Sequence, residues 1–201
     1  TAAAAFVVRE AAVLGFPTVS GRAREEAAPT DGREAAWRRA RYEFLRSAAE
    51  ALGARIVTAH TEDDQVETVL MRVLRGSGAR GLAGLYAWSD LLRPFVGLRR
   101  SALREYAVER DVAWGDDPSN QSLEHLRNRV RRDLLPALRR VRPAFEAELL
   151  DVARRAAQWR AAMDGMVGAL VSTSREEGSV RCASGDLAGY DRDSLCLLWG
   201  A

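Results

Sequence analysis

Apolar side chains recur at helical spacing along most of this chain, and the exceptions are short, β-branched runs. Thr1–Leu14 is alanine-rich, with Phe6, Val7, Val13 and Leu14 on one side, and predicts a helix ending at Gly15. Phe16–Val19 is a candidate strand, and polar Ser20–Gly32 a loop. Arg33–Leu52 predicts a long helix. Arg55–Ala59 reads as a buried strand with His60 at its carboxyl end. Thr61 then caps a helix, with Asp64 closing a capping box. Val66, Val69, Leu70, Val73 and Leu74 give that helix its expected buried face, and Gly76 stops it.

Beyond it, Leu91–Phe95 is a further extended piece, and Ser101 caps a helix running to about Arg110. Trp114–Asn120 is a turn-rich loop. The chain is helical again from Leu123, broken at Pro136 and Pro143, and Ala144–Val171 is a long amphipathic helix. Arg175–Ser184 predicts a short hairpin, and Leu195–Ala201 the start of another helix. Helices alternating with short strands predict an α/β fold, a parallel sheet flanked by helices. Residues 1–142 are expected to form that domain and residues 143–201 a helical second one. A helix leading into a strand is an abrupt opening for such a domain, so further sequence is expected upstream of Thr1.

Composition changes this picture little. At 201 residues with 47% hydrophobic content, the chain suffices for one sizeable domain or one and part of another. No apolar run reaches membrane-spanning length, Thr1–Val8 has no basic lead, and Cys182 and Cys196 lack CxxC spacing. Those features are expected of a cytoplasmic protein with reduced thiols. Charge is more informative. The net charge is only +2, but every one of the 30 basic residues is arginine. Gene base composition explains that choice most simply; where the arginines gather says more.

His60, Asp64 and Glu67 stand four and three residues apart, which puts the two acids on one helical face with the imidazole just ahead. Acid in a first turn often does no more than complement the helix dipole, worth about 0.3–1 kcal/mol. That accounts for Glu62, Asp63 and Asp64 but not for His60 or for Glu67 beside Asp64. A metal site is a second reading, although the other histidine, His125, is distant in sequence. The third is a substrate site where carboxylates hold an ammonium or a magnesium ion beside a nucleotide. Arg75–Gly81 is glycine-rich but follows a helix, so it lacks the setting of a phosphate-cradling loop. Arg127–Arg132, extended by Arg139, Arg140 and Arg142, is the densest basic cluster. A solvated helix face is the bland account of it. Asp133 is the only acid between Arg127 and Arg142, so local pairing cannot neutralise the cluster, which points to an anionic partner.

These residues resemble the tRNA(Ile)-lysidine synthase family of the PP-loop ATP pyrophosphatases. Glu34–Tyr42 is similar to its E-x-A-x-R-x-x-R-Y helix. Ala59–Thr68, leading to Arg75–Gly78 and Gly81-Leu82, is similar to its A-H-x-x-D-D-Q-x-E-T…R-G-S-G…G-L signature. Asp117–Asn120 and Arg127–Arg131, running to Leu135-Pro136, resemble its D-P-S-N…R-N-x-x-R…L-P region. The match covers most of Thr1–Arg142.

The resemblance implies an adenine nucleotide alpha hydrolase-like fold and ATP with Mg²⁺ as cofactors. It implies activation of the wobble cytidine's O2 in a CAU-anticodon isoleucine tRNA, then attack on C2 by the amine of free lysine. It assigns Asp64 and Glu67 to the lysine ammonium, and His60 and Asp63 to the nucleotide and its Mg²⁺. Arg38 and Arg41 would face phosphate or the activated cytidine. Arg75, Arg127, Asn128 and Arg131 would position the RNA or the adenylate. A homodimer is a further expectation. The family's S-G-G-x-D-S phosphate loop does not occur in this sequence, so these 201 residues are not expected to bind ATP productively. A tRNA thiolase of the same superfamily and a non-catalytic RNA-binding remnant are the alternatives. The thiolase wants cysteine pairs that Cys182 and Cys196 do not supply.

Overall fold

Helix termination follows one chemistry through the first half of the chain. The computed structural model describes residues 2–22, 33–115, 125–170, 173–176 and 179–191. Helices α1 (Ala2–Val13), α2 (Arg33–Ala51) and α3 (Glu62–Leu74) run into Gly15, Gly53 and Gly76, all with positive φ. After α3, the Gly76 amide donates to the Val73 carbonyl at 3.0 Å and the Ser77 amide to the Arg72 carbonyl at 2.9 Å. These paired return bonds satisfy carbonyls the helix leaves open.

Two compact units result. The first holds the described parts of Thr1–Ala59, Asp90–Pro94 and Ser101–Asn120. It contains α1, α2 and nearly all of α5 (Arg100–Glu109). Among the described residues, the expected parallel sheet is represented by a single parallel bridge between Val57 and Leu92. The Thr58 amide donates to the Leu92 carbonyl and the Leu92 amide to the Ile56 carbonyl, both at 2.9 Å. Val57 is 57% exposed, so Arg55–Ala59 is not the buried strand its composition predicts. Phe16–Val19 is exposed and joins no ladder among the described residues, and Pro94-Phe95 enters a turn rather than continuing a strand. β-Branched and aromatic content favours an extended backbone, but burial needs partners that propensity does not specify. Helix α5 begins at Arg100, so Ser101 lies inside its first turn rather than capping it.

The second unit holds the described parts of His60–Ser89, Phe95–Arg100 and Gln121–Ala201. Its core joins Val66, Leu70 and Met71 of α3 to Val130, Leu135 and Leu150. The buried face of α3 therefore differs from the expected one. Val66, Val69 and Leu70 are buried, but Val73 and Leu74 are 48% and 53% exposed, while Gln65, Glu67 and Met71 are buried instead. The first turns of α3 are covered nearly all round; the last turn runs past its neighbours.

The glycine-rich stretch folds into a one-turn helix, α4 (Ala79–Leu82), whose Gly81 carbonyl accepts a bond from Arg72 Nη1. Helix α6 (Leu126–Arg129) passes through a π-helical turn, Val130–Leu134, into α7 (Leu135–Val141). The Leu135 amide reaches back five residues to the Val130 carbonyl. Pro136 follows at once and does not break the helix as expected. Its ring would crowd the carbonyl one turn back, and the widened turn accommodates it. Pro143 does end α7, and α8 (Phe145–Leu170) packs on α3. Strands β1 (Thr173–Glu176) and β2 (Ser179–Cys182) form the expected hairpin, pairing Thr173 with Cys182 and Glu176 with Ser179. The D-P-S-N block and Leu195–Ala201 lie outside the described residues.

Candidate functional site

The start of α3 supplies the acids of the site, and the capping box expected from the sequence sets their directions. The Thr61 amide and hydroxyl donate to Asp64 Oδ2 at 2.9 and 2.8 Å. The Asp64 amide returns a bond to the Thr61 hydroxyl at 3.4 Å. Burial alone would raise the Asp64 pKa. The Thr61 bonds and the positive field of Arg100 and Arg127 outweigh it and hold the carboxyl below its ordinary range. Asp63 Oδ2 accepts the Arg100 backbone amide at 2.8 Å, and the Glu62 amide donates to the Leu98 carbonyl at 2.8 Å. The segment before α5 is thereby tied to the first turn of α3.

One turn further along α3, Glu67 is 1% exposed. A carboxylate so deeply placed requires compensation. Arg131 supplies it from the π-turn, through Nε to Oε1 at 2.6 Å and Nη2 to Oε2 at 2.9 Å. That bonding also raises the Arg131 pKa. Arg100 and Arg127 lie 3.8 and 3.7 Å from Glu67, and Arg127 Nη2 donates to the Thr68 hydroxyl at 3.2 Å. Arg127 Nε is buried with no hydrogen-bond partner among the described residues. Arg100 also bonds Asp64 at 3.2 Å.

A second node lies at the start of α8. Glu146, also buried, accepts from Arg99 Nη1 at 2.9 Å and from Arg139 Nε at 2.7 Å. Arg99 Nε lies 2.6 Å from Glu62 and its Nη1 4.0 Å from Asp63. Desolvation opposes the charge on Arg99, but the bonds to Glu146 and Glu62 prevail and raise its pKa. A cavity of about 160 Å³ lies among these groups. Asp63, Glu67, Glu146, Arg100, Arg131 and Arg139 line it, with Val66 and Leu135 as its apolar floor.

Asp63, Asp64 and Glu67 are thus brought together, and Arg127 and Arg131 join them. His60 is half-buried immediately before the cap, and Asn128 is buried on α6. Arg75 is exposed at the end of α3. Arg38 and Arg41 lie exposed on α2 in the first unit, with the Arg38 guanidinium 5.2 Å from the Tyr42 ring centre. Sequence reasoning missed Arg99, Arg100 and Glu146 altogether and read Arg139 only as part of a basic patch. The Arg99-Arg100 pair is the one local signal that could have found them.

Those paired acids lie in a stretch whose relatives are known. A profile of the PP-loop domain matches residues 2–138, well over half the chain. The chain belongs to the PP-loop domain family. This PP-loop chain is 37% identical over 157 residues to the tRNA(Ile)-lysidine synthase of Chromobacterium violaceum, covering 75% of the chain and 35% of that protein. It is 38% identical over 194 residues to the synthase of Salinispora arenicola, covering 90% and 58%. It is 44% identical over 154 residues to that of Leifsonia xyli subsp. xyli, covering 75% and 45%. The chain therefore spans between about a third and three-fifths of the length of these curated relatives. Among the described residues, no helix is long and apolar enough to cross a membrane, and no cluster of three His, Cys, Asp or Glu side chains could hold a metal ion.

Proposed function

We propose that this chain is the lysine- and RNA-handling part of a tRNA(Ile)-lysidine synthase, which joins free lysine to C2 of the wobble cytidine in a CAU-anticodon isoleucine tRNA. The observation that carries this reading is the buried Glu67 carboxylate in a small cavity lined by three acids and three guanidiniums. A charged cavity of about 160 Å³ has room for a free amino acid and not for a macromolecule. Asp64 and Glu67 would hold the side-chain ammonium and take its proton as the amine attacks. Asp64 suits the holding of the ammonium because its carboxyl is kept ionised by Thr61 and the arginines.

ATP supplies activation of the base when bound. Asp63 and His60 are the residues assigned to its side of the site. Asp63 already accepts the Arg100 amide, so it could give Mg²⁺ one oxygen, with the nucleotide's phosphates completing the shell. Arg38, Arg41, Arg75, Arg127, Asn128 and Arg131 are proposed to meet the RNA or its activated base, with residues 1–142 as the nucleotide-binding part and 143–201 as a helical tRNA- or substrate-binding part.

Transfer of label is the test. The chain, joined to an S-G-G-x-D-S phosphate loop, is incubated with radiolabelled lysine, ATP, Mg²⁺ and a CAU-anticodon isoleucine transcript. ATP-dependent label in the RNA is expected. Pyrophosphate release without label, or label equally well from other amino acids, overturns the assignment.

A further inference from the structure

Arg139 and Glu146 line the same cavity as Glu67 but come from different elements, α7 and the start of α8. The family profile ends at residue 138, so neither falls within the matched region. Arg139 donates to Glu146 through Nε and has Nη2 2.7 Å from the same oxygen. Its Nη1 makes no hydrogen bond among the described residues. Glu146 is fixed from its other side by Arg99. The Nε–Nη2 edge of this half-exposed guanidinium is thus engaged by a buried carboxylate, and its Nη1 side has donor capacity left over.

We propose that Arg139 and Glu146 form a head-group subsite that recognises the α-carboxylate and α-ammonium of the free amino acid, an inference that rests on the lysine reading above. The outer Nη1–Nη2 edge of a guanidinium matches a carboxylate at two points, and a fixed acid beside it matches the neighbouring ammonium. Charge balance agrees. The lining carries three acids, Asp63, Glu67 and Glu146, against three arginines, Arg100, Arg131 and Arg139. Lysine adds one net positive charge to this balanced set. A diamine of the same length adds two and brings no anion for Arg139, so the subsite excludes polyamines that the Asp64–Glu67 end alone would accept. Arg139 and Glu146 are specificity-determining residues in this view and do not touch the reacting amine.

Calorimetric titration of the 201-residue chain with L-lysine, 1,5-diaminopentane and 6-aminohexanoate tests it. The two analogues are lysine without its α-carboxylate and lysine without its α-amine. Wild-type chain is expected to bind lysine at least about tenfold more tightly than either. Arg139→Gln is expected to reduce the preference over the diamine to about twofold while leaving the diamine's own constant within about threefold. Glu146→Gln is expected to erase the preference over 6-aminohexanoate. Glu67→Gln is expected to weaken lysine and the diamine alike. Each preference is a ratio within one preparation, so partial unfolding of a variant alters the apparent number of sites and not the ratio. Equal binding of diamine and lysine by wild type, or a preference that survives Arg139→Gln, overturns the subsite with the lysine reading intact. Binding of none of the three overturns the lysine reading and the subsite with it.

Discussion

Arg131 grips Glu67 with two bonds, Nε to Oε1 at 2.6 Å and Nη2 to Oε2 at 2.9 Å, around a carboxylate that solvent barely reaches. Removing one partner of such a pair is far costlier than removing both, because it strands a desolvated charge. Arg131→Met is expected to destabilise the fold by about 3 kcal/mol, and Glu67→Leu combined with it to restore most of that loss. Urea unfolding of the two variants decides the matter. A double variant no more stable than the single one would mean that Arg100 and Arg127 already compensate Glu67.

Asp64 makes stability depend on acid. Its pKa in the folded chain lies below the ordinary 3.8, so its contribution is complete above that value and is lost as pH falls through the lower, folded value. Melting temperature is expected to drop as pH falls below the ordinary carboxyl value of 3.8, and to drop less steeply in Asp64→Asn. In the chain joined to an S-G-G-x-D-S phosphate loop, the same variant is expected to weaken lysine binding more than nucleotide binding. Equal weakening of both would remove Asp64 from the ammonium's neighbourhood.

Gly84 sits at φ +59°, and a side-chain carbon there would lie 2.5 Å from the Gln65 amide oxygen. Gln65 is wholly buried and bridges the turn, donating to the Ala83 carbonyl at 2.9 Å and accepting the Leu85 amide. Gly84→Ala is expected to cost about 1–3 kcal/mol of stability. Gly97→Ala, with open space around it, is expected to change stability by less than about 0.5 kcal/mol. Paired thermal or urea denaturation checks both.

Arg75, Arg129 and Arg140 are exposed and have no ion-pair partner among the described residues. If they meet RNA phosphates, replacing all three with Gln should lower the slope of log affinity against log salt by about 2–3, near 0.7–0.9 for each contact. Filter binding of tRNA across a salt series measures it. An unchanged slope would place the RNA elsewhere.

What could be read in advance divides by range. Thr61, Asp64 and the glycine after Leu74 are local signals, and α3 begins and ends where they put it. Periodicity alone puts Val73 and Leu74 in the core, yet both are half exposed. Period identifies a face, and only the neighbours decide how far along the helix that face stays covered. The Arg99–Glu146 bond spans 47 residues and leaves no local trace. The acids were therefore legible and most of their counter-charges were not. The extended pieces failed for a related reason: Val57 and Leu92 found each other, but a single bridge covers neither face. The lysidine synthase resemblance, carried by the histidine–aspartate and arginine blocks, holds up against the PP-loop match and the curated relatives.

The wide turn at Val130–Leu134 has a phasing consequence. Arg127, Arg131, Leu135 and Arg139 are spaced by four, a series that creeps around an ordinary helix by about 40° per step, given 3.6 residues per turn. Loosening one turn lets the series stay in line, so that Arg131, Leu135 and Arg139 all look into one chamber. Inserting a further residue there would swing everything downstream by about 100°. Length between Asn128 and Arg139 is consequently a requirement in its own right: a one-residue insertion would disarm the chamber while every amino acid that furnishes it was still present.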